Sequence, residues 1–386
     1  MKILAVGGGS GGHVTPVVAV LKELRALHPK VELRFWCDTA FATQARSIVG
    51  TFDDTIPVET ILSGKLRRYH HLTLWQHLMW PSLMWKNTKD LFKVAGGFFQ
   101  SIWKLIIWRP DVVFTKGGFV CLPVGMAARV LGIPLVIHDS DAHPGLTNRI
   151  LARWATAIAT GAPLEYYHYP ASKAKYVGIP INEAFRKLSK DQQLEAKKKW
   201  GVDTTKPLIV VTGGGLGARR LNDTTLAVLD KLQVLGSVIL VSGAGHYDEL
   251  RERIPKDSKN FQLHRFISNM HELLGAADVV VTRAGATTIL ELAALHKPTI
   301  LVPNAALTGG HQLKNAAVYS EAQVAIVLDE DETVENPDLL VKAVNAYLKD
   351  PKTTASMAAR FGHFAKPHAA RDMAELIVGA RKHKMI

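Results

Sequence analysis

The two halves of this chain open in the same way. Lys2–Val6 is a short apolar run that passes into GGGSGGH at 7–13, and Leu208–Val211 is another that passes into GGGLGARRLN at 213–222. Apolar residues then recur at helical spacing: Val17, Val18, Val20, Leu21 and Leu24 after the first loop, Leu221, Leu226, Leu229 and Leu232 after the second. Continuously apolar strands that alternate with helices imply parallel sheets covered on both faces. The repeated opening therefore predicts an α/β chain of two Rossmann-like, doubly wound parallel-sheet domains facing each other across a cleft. The 386 residues suit two such domains.

Further strands are expected at Leu33–Cys37, Val112–Thr115, Leu135–His138 and Ala157–Ala159 in the first domain. Val238–Ser242, Val279–Thr282, Thr299–Val302 and Val324–Val327 are their counterparts in the second. The charged, helical segment 188–200 opens the second domain. The expected divisions are 1–184, 185–365, and a basic C-terminal helix, 366–386, packing back on the first domain.

Hydrophobic residues make up 47% of the chain and charged residues 21%, which excludes a disordered chain. The net charge of +13 suits anionic partners, but no nucleic-acid module stands behind it, so no nucleic acid is expected. Cys37 and Cys121 both follow apolar runs and read as buried free thiols. MKILAVGGG reads as a first strand, not a secretion signal, and no run of about 18 apolar residues suggests a membrane span.

Residues 65–109 break the alternation. Trp75, Trp80, Trp85, Trp103 and Trp108 are joined there by Phe92, Phe98 and Phe99, interleaved with Lys65, Arg67, Arg68, Lys86, Lys89, Lys93, Lys104 and Arg109. Leu91, Ala95, Phe98, Ile102 and Leu105 share one helical face. Such a segment suits an anionic membrane surface, with aromatic rings at the headgroups and cations among them. The plainer use of the stripe is as the core side of a long helix.

Glycine loops between a strand and a helix bring phosphates close to free N–H groups at a helix N-terminus. Gly7, Gly9 and Gly12 fit G-x-G-x-x-G, a dinucleotide pattern. Two features point away from a single dinucleotide: His13 follows the last glycine, and the motif recurs as Gly213, Gly215 and Gly217. Two phosphate cradles suit two phosphate-bearing substrates, although Asp38, after the second strand, keeps a nucleotide open in the first domain. His13 sits in the first helical turn, where the dipole disfavours imidazolium; it serves there as a general base or as a phosphate ligand. Glu291, one turn into the helix after VVVTRAGA, is suited to a ribose diol or is simply a solvated helix residue.

GGGSGGH, GGGLGARRLN, RAGATTILEL at 283–292 and HQLKNA at 311–316 together resemble the MurG family of bacterial N-acetylglucosaminyltransferases. KGGFVCLP at 116–123, LGIPLVIHDSDAHPGLTNR at 131–149 and YVGIP at 176–180 follow the same family in the same order, so the resemblance spans nearly the whole chain. It implies a GT-B fold and a metal-independent, cofactor-free, inverting transfer from UDP-N-acetylglucosamine to lipid I at the cytoplasmic face of the cell membrane. Gly9, Ser10, Gly11, Gly12 and His13 would meet the acceptor diphosphate, with Asp139 and Asn148 nearby and His13 or Asp141 as base. Gly214, Gly215, Leu216 and Gly217 would cradle the donor phosphates, assisted by Arg219 or Arg283. Phe266 and Ile267 would contact uracil, Glu291 the ribose, and His311 and Gln312 the sugar; Asn315 matches as well.

The chain departs from the family at several of these positions. Gly215 and Leu216 replace a Ser-Gln pair, His138–Asp141 reads HDSD where the family has H-E-Q-N, Asn182 replaces an arginine, and His311 replaces one sugar-contacting glutamine. The D-x-D of HDSDAH is a metal signature in other glycosyltransferases, but it lies in the acceptor half, where hydrogen bonding to the acceptor is the expected use and no metal is expected. The competing readings are a related GT-B enzyme with another sugar or lipid acceptor, a non-catalytic UDP-sugar binder, and an NAD-dependent oxidoreductase.

Overall fold

The computed structural model describes residues 1–8, 11–65, 81–215, 217–254, 258, 260–305 and 310–383, with the side chains of 11–13 and 81–83 left aside. The chain divides into two units, Met1–Asn182 with Lys366–Ile386, and Glu183–Ala365.

The first unit is built on seven parallel strands: β1 (Lys2–Val6), β2 (Glu32–Cys37), β3 (Val58–Thr60), β4 (Val112–Thr115), β5 (Leu135–Asp139), β6 (Ala157–Thr160) and β7 (Ala174–Tyr176). Their order in the sheet is β3-β2-β1-β4-β5-β6-β7. The helices are α1 (Gly11–Leu27), α2 (Ala42–Gly50), α3 (Pro81–Trp108), α4 (Cys121–Val130) and α5 (Leu146–Leu151). Successive strand residues point to opposite faces, which divides the core in two. Ile3 and Ala5 pack with Val17, Leu21 and Leu24 of α1 on one side; Leu4 and Val6 pack with Leu105, Val120 and Val124 on the other. Met373, Ala374 and Ile377, from the last helix of the chain, belong to the first of these layers. Both cysteines are buried and unpaired, and burial pushes the Cys37 thiol up to about 11 and that of Cys121 to about 12.

The second unit has six parallel strands: β8 (Leu208–Thr212), β9 (Ser237–Val241), β10 (Phe261–His264), β11 (Val279–Thr282), β12 (Thr299–Leu301) and β13 (Ile326–Val327), in the order β10-β9-β8-β11-β12-β13. Helices α6 (Lys190–Lys199), α7 (Arg219–Ala227), α8 (Leu229–Leu235), α9 (Tyr247–Arg253), α10 (Met270–Ala276), α11 (Ala286–Ala294), α12 (His311–Glu321), α13 (Glu330–Glu335), α14 (Asp338–Lys349) and α15 (Pro351–Gly362) flank it. The chain then returns to the first unit as α16 (Ala369–Ala380). Helix α6 starts at a capping box in which Ser189 and Gln192 exchange hydrogen bonds, and it ends on Lys197–Lys199, which complement the carbonyl end of the dipole.

Helix α3 turns inward the later part of the apolar stripe, Phe98, Ile102 and Leu105, but not its start at Leu91 and Ala95. Asp90, Val94, Gly97, Ser101, Leu105 and Trp108 point to the core, with Phe98 and Ile102 packed partly against it, while Leu91 is 57% exposed. The cause is a backbone crossing: a Cβ on Gly97 would stand 1.8 Å from the Leu62 carbonyl oxygen. Only the glycine side of the helix admits that segment, which Gln100 then ties down by accepting from Leu62 N at 2.8 Å. Trp108 is thereby buried; Trp75 and Trp80 lie outside the described residues.

Candidate active site

In the first sheet the strand order reverses between β1 and β4, and crevices at the carboxyl ends of such strands are where open α/β sheets bind ligands. The two loops there meet backbone to backbone. A Cβ on Gly118, whose φ is +91°, would approach the Gly8 carbonyl to 3.0 Å, and one on Gly8 would lie 2.4 Å from Asp38 Oδ2. Asp38 Oδ1 accepts from Phe41 N at 3.0 Å, so this carboxylate caps the turn after β2. Helix α1 begins at Gly11, which places the His13 backbone in its first turn. Gly9, Ser10 and the side chain of His13 lie outside the described residues, and Gly11 and Gly12 are described by backbone alone.

A polar cluster lies at the ends of β4 and β5. Asp139 is 4% exposed and accepts from Tyr169 Oη at 2.8 Å; burial pushes its carboxyl up to about 7 against that hydrogen bond. Asn148 Nδ2, from α5, donates to the His138 carbonyl at 3.0 Å, and His138 Nε2 lies 2.7 Å from the Gly178 carbonyl. The Asp141 carbonyl accepts from Tyr167 Oη at 2.7 Å, with the two tyrosine rings stacked. Lys116, 1% exposed, follows β4 and donates through Nζ to Ser140 Oγ. Its burial pulls the ammonium down to about 8, opposed by the charges of Asp141 and Asp139. The structure thus brings Asp139, Asp141 and Asn148 to one end of the sheet. It adds Lys116 and Tyr169, which the sequence reading passed over: Lys116 stood in plain view at the end of an expected strand, whereas no local pattern marks Tyr169.

The second glycine loop is shaped by two left-handed residues, Gly214 (φ +78°) and Gly217 (φ +77°). A Cβ on Gly217 would stand 2.1 Å from the Ser242 carbonyl, while Gly214 and Gly215 have open space where a Cβ would be. Helix α7 then starts at Arg219 with no side-chain cap and no acidic residue in its first turn. An uncapped helix end behind an open glycine loop presents free N–H groups and a positive dipole end to an anion. Leu216 lies outside the described residues.

The other expected donor residues are distributed unevenly. Phe266, just after β10, is 66% exposed, and Ile267 is buried. Glu291, on α11, has no hydrogen-bonding or ionic partner among the described residues, and burial alone pushes it up to about 7. Gln312 Oε1 accepts from Asn304 N at 2.9 Å, and Asn315 Nδ2 donates to the Ala284 carbonyl at 3.1 Å, so both brace loops at the carboxyl end of the sheet. His311 is the first residue of α12. Two arginines differ from expectation. Arg219 pairs with Glu249 at 2.8 Å on the surface. Arg283 is 7% exposed and holds the Val302 carbonyl at 3.0 Å and Glu330, which ties β11 to α13 and turns its guanidinium into the domain.

A cavity of about 470 Å³ in this unit lies at the opposite, amino-terminal end of the sheet. Its buried cations are engaged in the fold: Lys197 pairs with Asp278 at 2.6 Å, and Lys297 donates to the Gly275 and Ala277 carbonyls. No group of three or more His, Cys, Asp or Glu among the described residues is arranged to hold a metal ion.

Two Rossmann-like units, each with a glycine loop after its first strand, are the architecture of the GT-B fold. Profiles of the glycosyltransferase family 28 N-terminal and C-terminal domains match residues 3–160 and 208–376. A relative from Bacillus thuringiensis subsp. konkukian is 31% identical over 98% of both chains; it is the UDP-N-acetylglucosamine–N-acetylmuramyl-(pentapeptide) pyrophosphoryl-undecaprenol N-acetylglucosamine transferase 1. The chain belongs to this family, the MurG glycosyltransferases. The crystal structure of Acinetobacter baumannii MurG superposes with a TM-score of 0.74, at 24% identity, over 98% of this chain and 99% of that one. A UDP-N-acetylglucosamine 2-epimerase from Neisseria meningitidis, solved with UDP-N-acetylglucosamine bound, shares the fold at a TM-score of 0.66 and 13% identity, covering 98% of this chain and all of that one.

Proposed function

We propose that this chain transfers N-acetylglucosamine from UDP-N-acetylglucosamine to lipid I, the undecaprenyl-pyrophosphoryl-muramoyl-peptide, giving lipid II and UDP for peptidoglycan synthesis. The observation that carries the donor half is the open glycine loop of the second unit, backed by the uncapped start of α7. The Gly214 and Gly217 amides already donate to Thr212 Oγ1 and the Gly214 carbonyl, so it is the first N–H groups of α7 that receive the charge developing on UDP as the glycosidic bond breaks. Glu291 binds the ribose diol, Phe266 and Ile267 the uracil, and His311 and Gln312 the sugar. In the first unit the loop at 9–13 takes the acceptor diphosphate, and Asp139 and Asn148, both buried and hydrogen-bonded within the unit, shape the acceptor end from behind. Either His13 or Asp141 takes the proton of the attacking hydroxyl. Direct displacement inverts the anomeric centre. Fixed donor-side amides take the part of a metal ion.

The outward side of α3 is the membrane contact. Trp85, Phe92, Phe99 and Trp103 are 62–74% exposed and recur seven, seven and four residues apart, opposite the buried face. Lys89 lies over the Trp85 ring at 4.9 Å. Rings at headgroup depth with lysines beside them suit a peripheral seat on anionic lipid. Among the described residues no helix is long and apolar enough to cross a membrane. Replacing Phe92 and Trp103 by Glu is expected to cut sedimentation with phosphatidylglycerol vesicles about tenfold, with UDP binding unchanged.

The test of the reaction is UDP release from UDP-N-acetylglucosamine, with and without a lipid I analogue, in detergent containing EDTA, with the product weighed by mass spectrometry. Acceptor-dependent release with a gain of one N-acetylhexosamine is expected. Acceptor-independent consumption of the donor, as in an epimerase, would overturn the proposal.

A further inference from the structure

Two carboxylates and one lysine share the carboxyl end of the first sheet, and the lysine has no solvent-facing use. Asp139 closes β5, and Asp141 follows two residues later on the turn into α5. Lys116, on the neighbouring strand end, is 1% exposed, so its ammonium does not reach a bound substrate directly. Its hydrogen-bonded partner is Ser140, the residue between the two carboxylates. We propose that Lys116 is a positioning residue for the glycosyl transfer: it fixes the Asp139–Ser140–Asp141 turn through Ser140 and places a positive charge beside the acceptor-side base. This rests on the assignment of Asp141 as that base.

The electrostatic setting requires such a cation. Asp139 is raised by burial and further by the charge of Asp141, because two nearby carboxylates oppose each other's ionisation. Tyr169 and Asn148 donate to Asp139, and burial pushes the Tyr169 phenol up, so it stays a protonated donor at neutral pH. Arg149, on α5, acts on Tyr169, the Cys121 thiol acts on Lys116, and Asp38 acts on that thiol. Lys116 is the cation that acts on Asp139, and it in turn feels Asp141 most strongly of the nearby charges. With an ammonium near 8, it is charged across the pH range in which a carboxylate base operates.

The experiment is the pH profile of kcat/KM for acceptor-dependent transfer in K116Q, K116M and K116R. K116Q keeps a donor for Ser140 and removes the charge. The acid limb of both neutral variants is expected to move upward by about 1 pH unit, a roughly tenfold loss on that limb, with KM for UDP-N-acetylglucosamine unchanged. K116R keeps the charge and should hold the limb near its original position. Folded, UDP-binding K116Q with an unmoved acid limb would overturn the proposal, and loss of fold in both neutral variants would assign Lys116 to stability alone. D141N distinguishes the two levels: if it leaves turnover intact, the assignment of the base fails; if it abolishes turnover while K116Q is unaffected, only the role of Lys116 fails.

Discussion

Each unit holds one carboxyl raised to about 7, and the two are surrounded differently. Asp139 sits among fixed partners, Tyr169, Asn148 and the charge of Lys116. Glu291 is raised by burial alone and has no partner among the described residues. The glycine loops differ in the same sense. The first is closed against Asp38 and Gly118 at Gly8, whereas the second leaves open space at Gly214 and Gly215. A satisfied polar cluster suits proton handling, because its groups are already oriented. A buried carboxyl side chain left unsatisfied, as Glu291 is among the described residues, suits a ligand that completes its hydrogen bonds. The two units, alike in sheet and loop, differ at these carboxyls, and the difference supports the proposed division into an acceptor side and a donor side.

The contrast between the two arginines of the second unit gives the largest expected effect. R283M leaves Glu330 buried with only Arg220 as its ionic partner, at 3.2 Å, and should cost about 3 kcal/mol in a urea melt. G217A forces a left-handed side chain against the Ser242 carbonyl and should cost about 1–3 kcal/mol, whereas G215A, with open space and no left-handed φ, should leave the melt unchanged. E291Q sharpens the comparison of the carboxyls. The folded pKa of Glu291 lies above its ordinary value, so its contribution to stability is fully present below about 4.5 and is lost as pH rises through about 7. E291Q should therefore match the wild type near pH 4 and exceed it by about 1–2 kcal/mol at pH 8 without ligand. Added UDP should reverse that order. R219A, at an exposed ion pair, should change stability by less than about 0.5 kcal/mol.

Much of this arrangement was legible in the sequence, because the strand–glycine–helix openings depend on local chemistry. An apolar run, glycines at the turn and a helical repeat are all written within some twenty residues. The strands β3 and β7 were not foreseen: Val58–Thr60 and Ala174–Tyr176 are three residues each and partly exposed, so they carry no apolar run. β10 is likewise half-buried along its length. The inward face of α3 was legible only in part, at Phe98, Ile102 and Leu105, because the helix is apolar on two sides and Leu62 crossing at Gly97 decides which line of its earlier turns is buried. Arg283 looked like a phosphate ligand until its partner on α13, forty-seven residues away, was seen. Motif positions follow from local sequence, whereas the direction of a charged side chain depends on partners brought in by the fold.

If the two units divide the work, nucleotide binding and turnover come apart in a single variant. In D139N/D141N, UDP affinity by calorimetry should stay within about twofold of the wild type. Acceptor-dependent transfer should fall by at least about a hundredfold. A parallel loss of UDP affinity, or turnover that survives the double substitution, would contradict the account.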